Sequence, residues 1–150
     1  MQIIANNKKA FFQYFILEKI EAGIQLTGDE VKSIRTGKAS IKEAYAETKK
    51  GQLFLVNSDI AAYEKSSNYS KLDAKRSRKL LLHKKEISRL QGKIEKEGMT
   101  IIPLKIYFNK RGLVKIEIAI AKGKKLYDKR EDKKKKDWNI QKKRLLKNLN

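Results

Sequence analysis

The chain contains no cysteine, one histidine, one proline and one tryptophan in 150 residues. The absence of cysteine excludes a disulfide framework, a thiolate nucleophile and any cysteine-ligated zinc or iron–sulfur site. A lone histidine, His83, excludes a multi-histidine metal centre and a pair of histidines sharing acid and base roles within one chain. Acidic residues are scarce as well: 17 Asp and Glu stand against 37 Lys and Arg, a formal net charge of +20. No apolar run approaches bilayer-spanning length, and Met1 to Asn7 lacks the charged-then-apolar layout of a secretory signal. The expectation is a cytoplasmic protein that does not enter a membrane.

What is present suffices for a single domain with extensions. Apolar residues make up 40% of the chain, enough for one core at this length. A charge this positive repels itself unless a polyanion answers it, and nucleic acid is the commonest such partner, with an anionic membrane surface or an acidic protein as rivals. Lysine outnumbers arginine 30 to 7, so the balance of charge carries more meaning than the choice of basic residue.

Residues 10–26 are rich in aromatic and β-branched side chains and read as strand, with Gly23 as a bend or bulge. Thr27 and Glu30 then stand at capping-box spacing, flanked by Leu26 and Val31 at the positions of a hydrophobic staple. They predict a short helix that starts at Gly28 and is closed by Gly37. Residues 44–48 and 52–57 flank Lys49-Lys50-Gly51 as a hairpin, and residues 101–108 and 113–121 form a second pair. In the last of these Val114, Ile116, Ile118 and Ile120 alternate against Lys115 and Glu117, which marks one core face and one partly wet face. Pro103 suggests a strand edge or strand start. Ile87, Leu90 and Ile94 predict a second amphipathic helix over 84–97. Residues 63–77 read as a long polar loop. Hairpins interrupted by helices, without βαβ alternation, point to a mainly β fold with short helices: an antiparallel barrel of the oligonucleotide-binding type, with a split α+β sheet as the alternative.

Composition changes after residue 121. Residues 122–150 carry 13 basic and 4 acidic side chains, a net +9, whereas residues 1–121 carry 24 and 13, a net +11. The chain therefore divides into a barrel over 1–121 and a basic tail over 122–150. A helix in the tail would align Trp138, Leu145 and Leu149 in a thin stripe beside Leu146, too little to hold a short, positive helix in isolation.

Few motifs carry chemistry. Lys75-Arg76-Ser77-Arg78-Lys79 places four cations before Leu80-Leu81-Leu82, either a phosphate clamp beside an apolar contact surface or a solvated loop that leads into a buried segment. The three leucines cannot all face inward, so one belongs to the surface. His83 has Leu82 and Ile87 around it at staple spacing and serves most simply at the start of the second helix. No nucleophile, paired-carboxylate or Walker-type pattern occurs, so no enzyme, cofactor or metal is expected. Phe11, Phe12, Tyr14 and Phe15 would point to both sides of a strand; core volume accounts for most of them, and the remainder are free to act as a stacking platform.

Asn7-Lys8-Lys9-Ala10, Glu21-Ala22-Gly23-Ile24, the run from Gly28 to Lys38 (GDEVKSIRTGK), Arg78-Lys79-Leu80-Leu81-Leu82 and the run from Ala121 to Arg130 (AKGKKLYDKR) occur in the order seen in the SsrA-binding protein (small protein B) family, which the chain resembles over nearly its whole length. The resemblance implies a bacterial trans-translation factor whose barrel docks on the tRNA-like domain of transfer-messenger RNA (tmRNA). The basic tail would enter the empty messenger channel of a stalled small ribosomal subunit, near the RNA of the decoding site. Carried over by motif, Asn7, Glu21 and Leu81 would contact the RNA or support that surface. Lys8, Lys9, Lys32, Arg35, Lys38, Arg76, Arg78 and Lys79 would be its cations. Gly123, Lys124, Lys125, Tyr127, Asp128, Lys129 and Arg130 would form the junction toward the decoding region, and Trp138, Lys143 and Arg144 would belong to the tail. Elongation factor Tu would be met only through the delivered RNA, by a monomer. Gln13 and Ala74 depart from the family pattern, which often has an acidic residue and a proline there. A general rRNA- or tRNA-binding, ribosome-associated protein is the alternative. A peptide of residues 122–150 is expected to be largely non-helical by circular dichroism at low salt; strong helicity there would overturn the reading of a tail that orders on RNA.

Overall fold

The computed structural model describes residues 2–63 and 73–148, with only the backbone described at 126–128 and 148. Most of the long polar loop expected over 63–77 therefore lies outside the described residues. The elements run β1 Gln2–Asn6, α1 Ala10–Gln13, β2 Tyr14–Ile24, α2 Gly28–Arg35, β3 Ala39–Ser40, β4 Tyr45–Lys49, β5 Gln52–Val56, β6 Asp59–Ile60, β7 Arg78–Leu81, α3 Lys84–Glu97, β8 Thr100–Phe108, β9 Val114–Gly123 and α4 Leu126–Asn148. All strand pairs among them are antiparallel. Strands β9, β8, β4, β5, β7 and β2 follow one another around a closed ring, because β9 pairs with both β2 and β8. β1 lies along the second edge of β8, and β3 with β6 makes a small separate ribbon. This is the mainly β barrel with short helices that the pattern predicted.

The alternation of β9 decides which face is inside. Ile116, Ile118 and Ile120 join Leu53, Leu55, Leu80, Ile101 and Ile106 in the barrel core, each such burial being worth about 1.5–3 kcal/mol. Ile87 and Leu90 of α3 also join this core, as their spacing predicted. A second, smaller core of Ala10, Ile102, Leu104, Ala119 and Ala121 lies apart from it, backed by Tyr14 and Ile16. Here the expectation of strand from residue 10 is corrected. Residues 10–13 make a single helical turn, with Phe12 and Gln13 N–H groups donating to the Lys9 carbonyl at 3.1 and 2.9 Å. Propensity favoured strand, but the turn buries Ala10 on β8 and β9.

Pro103 is also relocated. It lies buried inside β8, at the register shift between Pro103 and Lys105, since a bulge removes the need for its missing N–H. The Asn7 side-chain amide donates to the Pro103 carbonyl at 3.0 Å and the Asn7 N–H to the Leu104 carbonyl at 2.8 Å, which fixes the chain as it leaves β1. Gly23 keeps regular pairing with both neighbours, and the irregularity in β2 falls instead between Ile16 and Glu18. The β4–β5 turn has Lys50 and Gly51 at φ of 53° and 73°, the pair of left-handed residues that a two-residue hairpin requires.

The capping box forms as predicted: Thr27 Oγ1 accepts from the Glu30 N–H at 3.2 Å and Glu30 Oε1 accepts from the Thr27 N–H at 2.9 Å. The same carboxylate then does more than cap. Arg76 Nη2 donates to Glu30 Oε1 at 2.5 Å and Arg78 Nε donates to Oε2 at 2.6 Å. Arg78 is fully buried, and its other donors reach the Ser58 carbonyl and hydroxyl at 3.0 and 2.9 Å and the Ala74 carbonyl at 3.0 Å. One guanidinium thus ties α2, the link between β5 and β6 and the segment that precedes β7. Burial alone would raise the Glu30 carboxyl, yet hydrogen bonds from Arg76 and the Thr27 N–H, with the Arg78 charge, hold it below its ordinary value of 4.5.

Glu30→Gln leaves a buried guanidinium unmatched and is expected to cost about 3–5 kcal/mol in urea unfolding at neutral pH. Because the folded value is lowered, the carboxylate's contribution is complete above 4.5 and is lost as pH falls through that lowered value. Stability measured across the acid range should accordingly fall less steeply in Glu30→Gln than in the parent.

Candidate nucleic-acid interface

β2 carries Glu21 directly opposite Glu117 of β9, and Glu117 stands opposite Lys105 of β8. Like charges facing each other across a ladder destabilise it unless each finds a partner. Lys105 Nζ lies 3.8 Å from Glu117 Oε2. Glu21 is served by Tyr107 of β8, whose hydroxyl reaches across β9 and donates to Glu21 Oε2. Burial of the phenol, then the hydrogen bond to Glu21, raises the Tyr107 pKa well above its ordinary value of 10.0, so the hydroxyl keeps its proton and remains a donor. Lys105 Nζ also sits 5.6 Å from the Tyr107 ring centroid. The result is an exposed carboxylate held in one orientation on a basic protein, able to accept hydrogen bonds from base edges or ribose hydroxyls.

Next to Glu21 the surface becomes apolar. Gly23 pairs with Leu81 of β7, and a Cβ at Gly23 would approach the Leu81 Cβ to 3.1 Å. Glycine therefore lets Leu81 pack closely over β2 while half of the leucine stays exposed. Of the three consecutive leucines, Leu80 is buried, Leu82 is half-buried and Leu81 is the surface residue. A shallow depression of about 350 Å³ is lined by Glu21, Leu81, His83, Glu86 and Lys115. A neighbouring groove of about 420 Å³ is lined by Leu26, Val31, Arg35, Leu81 and Leu113. His83 caps α3 by position but makes no side-chain cap bond, so its imidazole is available to the depression. An oriented acceptor, a lysine and an exposed leucine in one hollow, with Leu113 exposed in the groove beside it, suit RNA with unpaired bases rather than a featureless duplex.

Sequence reasoning found Glu21 and Leu81 but missed Tyr107, Lys115 and Leu113. The alternation of β9 already turned Lys115 outward; the reach of Tyr107 across β9 had no signal in the sequence. The basic residues divide. Lys8, Lys9, Lys32, Arg35 and Lys38 are exposed, and Lys79 is half-buried on β7. Arg76 keeps part of its side chain at the surface while it binds Glu30. Two of the residues assigned to the RNA face lie inside the fold. Arg78 shares with Leu80 the inward phase of β7 and spends its donors inside the fold, leaving none for a phosphate. Asn7 is buried, and its amide braces the turn after β1 at Pro103, the supporting alternative of its assignment.

The junction residues gather at the far end of β9. From Lys115 to Gly123 the strand advances about 26 Å at its usual rise, so the Glu21 depression and the start of the tail lie well apart. Gly123 closes β9. Lys124 is largely buried: its ammonium pairs with Asp132, donates to the Phe11 carbonyl at 3.3 Å and lies 5.0 Å from the Phe15 ring centroid. Lys125 and Arg130 are exposed and Lys129 is half-buried. The side chains of Tyr127 and Asp128 lie outside the described residues. Trp138, Lys143 and Arg144 are exposed on α4, with Leu145 and Leu146; Leu149, the last residue of the expected stripe, is outside the described residues. No helix among the described residues is long and apolar enough to cross a membrane.

Tyr107→Phe removes the donor that orients Glu21 and leaves the ring in place. It is expected to weaken binding of a structured RNA about tenfold, the worth of roughly one hydrogen bond to a charged group, with little change in thermal stability; filter binding at fixed salt measures it. Gly23→Ala should weaken the same binding by displacing Leu81.

The family described as SmpB protein matches residues 4–148. The SsrA-binding protein of Nitrobacter winogradskyi is 54% identical over 146 residues, covering 97% of this chain and 92% of that one. Its counterpart in Afipia carboxidovorans is 53% identical over the same coverage. A solved structure described as "tmRNA-SmpB: a journey to the center of the bacterial ribosome" superposes with a TM-score of 0.66 at 51% identity, covering 81% of this chain and 84% of that one. A match over nearly the whole chain makes this protein a member of the SmpB, or SsrA-binding protein, family.

Proposed function

We propose that this chain binds the tRNA-like domain of tmRNA through the face built on Glu21 and Leu81 and carries that RNA to ribosomes stalled without a complete message. The observation that carries the reading is the separation of two RNA-facing parts on one barrel, in a chain whose relatives are named SsrA-binding protein. At one end of β9 an oriented carboxylate and an exposed leucine offer shape and hydrogen bonding. At the other end begins a segment of 29 residues with 13 basic and 4 acidic side chains, which offers charge.

A messenger channel is lined by phosphates and is normally occupied by another polyanion. A helix with a net +9 over 122–150 gains most there when the competing RNA is absent, because only then does it replace the neutralising counterions. The tail thus reads an empty channel near the decoding site by competition, becoming ordered on the small-subunit RNA, while the barrel of 1–121 holds tmRNA. The protein acts in the cytoplasm as a monomer without a cofactor, and meets elongation factor Tu only through the RNA they share.

At matched salt, affinity for the tRNA-like domain of tmRNA should exceed affinity for an ordinary tRNA of equal length at least tenfold; equal affinities would favour a general RNA-binding role. Deleting residues 122–150 should abolish peptide tagging on stalled ribosomes and leave most of the tmRNA affinity. Loss of RNA binding with tagging preserved in preassembled complexes would reverse the division of labour.

A further inference from the structure

A carboxylate held in one orientation chooses among bases as well as attracting them, because a fixed acceptor reads where the donors of a base edge lie. Glu21 is such a group. Tyr107 occupies Oε2 with one hydrogen bond, and Oε1 accepts none among the described residues. An ionised carboxylate has about four lone-pair sites, so each oxygen still has room for a donor from outside. The side chain is exposed, so an RNA base can reach both.

Lys115 stands opposite Gly23 on β9, two residues from the Glu117 that faces Glu21. Its side chain and the Glu21 carboxylate therefore line the same depression from neighbouring strands. Lys115 has no ion-pair partner among the described residues. The hollow thus presents two acceptor oxygens with one donor beside them. Leu81 adds an apolar wall for the face of a base, brought close over β2 because Gly23 has no Cβ. His83 and Glu86 line the α3 side. Glu86 lies in the field of Arg89, and no hydrogen bond orients its carboxylate among the described residues, so it lacks the fixed geometry of Glu21.

We infer that this hollow is a guanine site: an unpaired guanine of the bound RNA donates its N1–H and 2-amino group to the two oxygens of Glu21, and its O6 accepts from Lys115. Among the four RNA bases only guanine carries two adjacent N–H donors next to a carbonyl on its Watson–Crick edge. Adenine has one amino group beside a bare ring nitrogen, cytosine one amino group beside two acceptors, and uracil a single N–H between two carbonyls. Each would leave one oxygen of Glu21 without a donor, and adenine would also bring an amino group to the place where Lys115 donates. A ribose within a chain has only its 2′-hydroxyl to give, one donor for two oxygens. A base-paired guanine is excluded, because pairing uses the same edge; the site therefore belongs to a loop or a single-stranded stretch. The inference rests on the reading of this face as the RNA-binding surface and deepens it by naming the base.

The test uses the full chain and the tRNA-like domain of tmRNA, transcribed with an occasional inosine phosphorothioate in place of guanosine. Inosine lacks only the 2-amino group. Bound and free RNA are separated on a filter and cut with iodine, which reads the position of each inosine. Inosine at one unpaired guanosine should lower binding about tenfold, the worth of a hydrogen bond to a charged group. 7-Deazaguanosine at that position should have no effect, since N7 lies on the other edge. Glu21→Gln keeps the side-chain length and an oxygen for Tyr107, but sets an amide donor against the 2-amino group. In that variant inosine should bind as well as guanosine or better, a reversal that misfolding cannot produce. Lys115→Leu should preserve the inosine effect, because inosine retains O6, and should lessen the loss caused by adenosine at the same position. No inosine effect that depends on Glu21, an effect abolished by Glu86→Gln instead, or a Glu21-dependent effect of 2′-deoxy substitution alone would each overturn the inference, even with the preference for tmRNA over tRNA retained. Equal affinity for tmRNA and tRNA, with the Glu21-dependent inosine effect intact, would instead overturn the proposed function and leave the guanine site standing.

Discussion

Strand β9 is hydrogen-bonded along both edges, to β2 on one side and β8 on the other, and most of the molecule takes its layout from that double pairing. It closes the ring and thereby gives the sheet an inside. Ile116, Ile118 and Ile120 enter the main core on alternate positions, while Ala119 and Ala121 form part of the second core. Lys115 and Glu117 keep the partly exposed phase. The strand also sets distance: the hollow around Glu21 lies by its first residues, and the tail departs from its last. A register slip of one residue would exchange the isoleucines for Lys115, Glu117 and alanine in the core, so the spacing between the Glu21 hollow and the start of the tail is as firmly held as the core itself.

In a protein with 17 acidic residues among 37 basic ones, the carboxylates that the structure uses each secure a particular element. Glu30 caps α2 and neutralises a buried guanidinium. Glu18 receives two bonds from Arg89 at 2.7 and 2.9 Å, which ties α3 to β2; hydrogen bonding from Arg89 holds its carboxyl below the ordinary range. Asp132 holds Lys124 at the foot of the tail. Glu21 is the exception, since its partner is an uncharged hydroxyl. It is oriented without being neutralised, which is what a carboxylate must be if it is to accept hydrogen bonds from RNA within a positive field.

Much of this was legible in the chain. The capping box at Thr27 and Glu30, the hairpin around Gly51, the helix over Ile87 and Leu90 and the alternation of β9 are local patterns that depend on neighbours within a few residues. The exposed leucine followed from the impossibility of burying three in a row. The errors occur where a distant segment decides. Strand propensity at Phe11 and Phe12 lost to the burial of Ala10 on β8 and β9. Pro103 was admitted to a strand interior by a bulge that Asn7 braces from nearly a hundred residues away. Arg78, read as a possible phosphate clamp, is drawn inside because Glu30, capping a helix far upstream, offers it a buried counter-charge.

The sequence by itself determined the sign of the charge a partner must carry and the class of the fold: a net charge of +20 split between a patterned domain and a dense tail, with hydrophobic periods that admit a small antiparallel barrel. Charge and periodicity are additive or local properties, so they can be read residue by residue. Only the tertiary structure decided which cations remain available and which are consumed, that Tyr107 reaches over β9 to hold Glu21, and that Phe11 and Phe12 stay exposed instead of entering the core. Those outcomes turn on pairings between segments tens of residues apart, whose geometry exists only once the ring has closed.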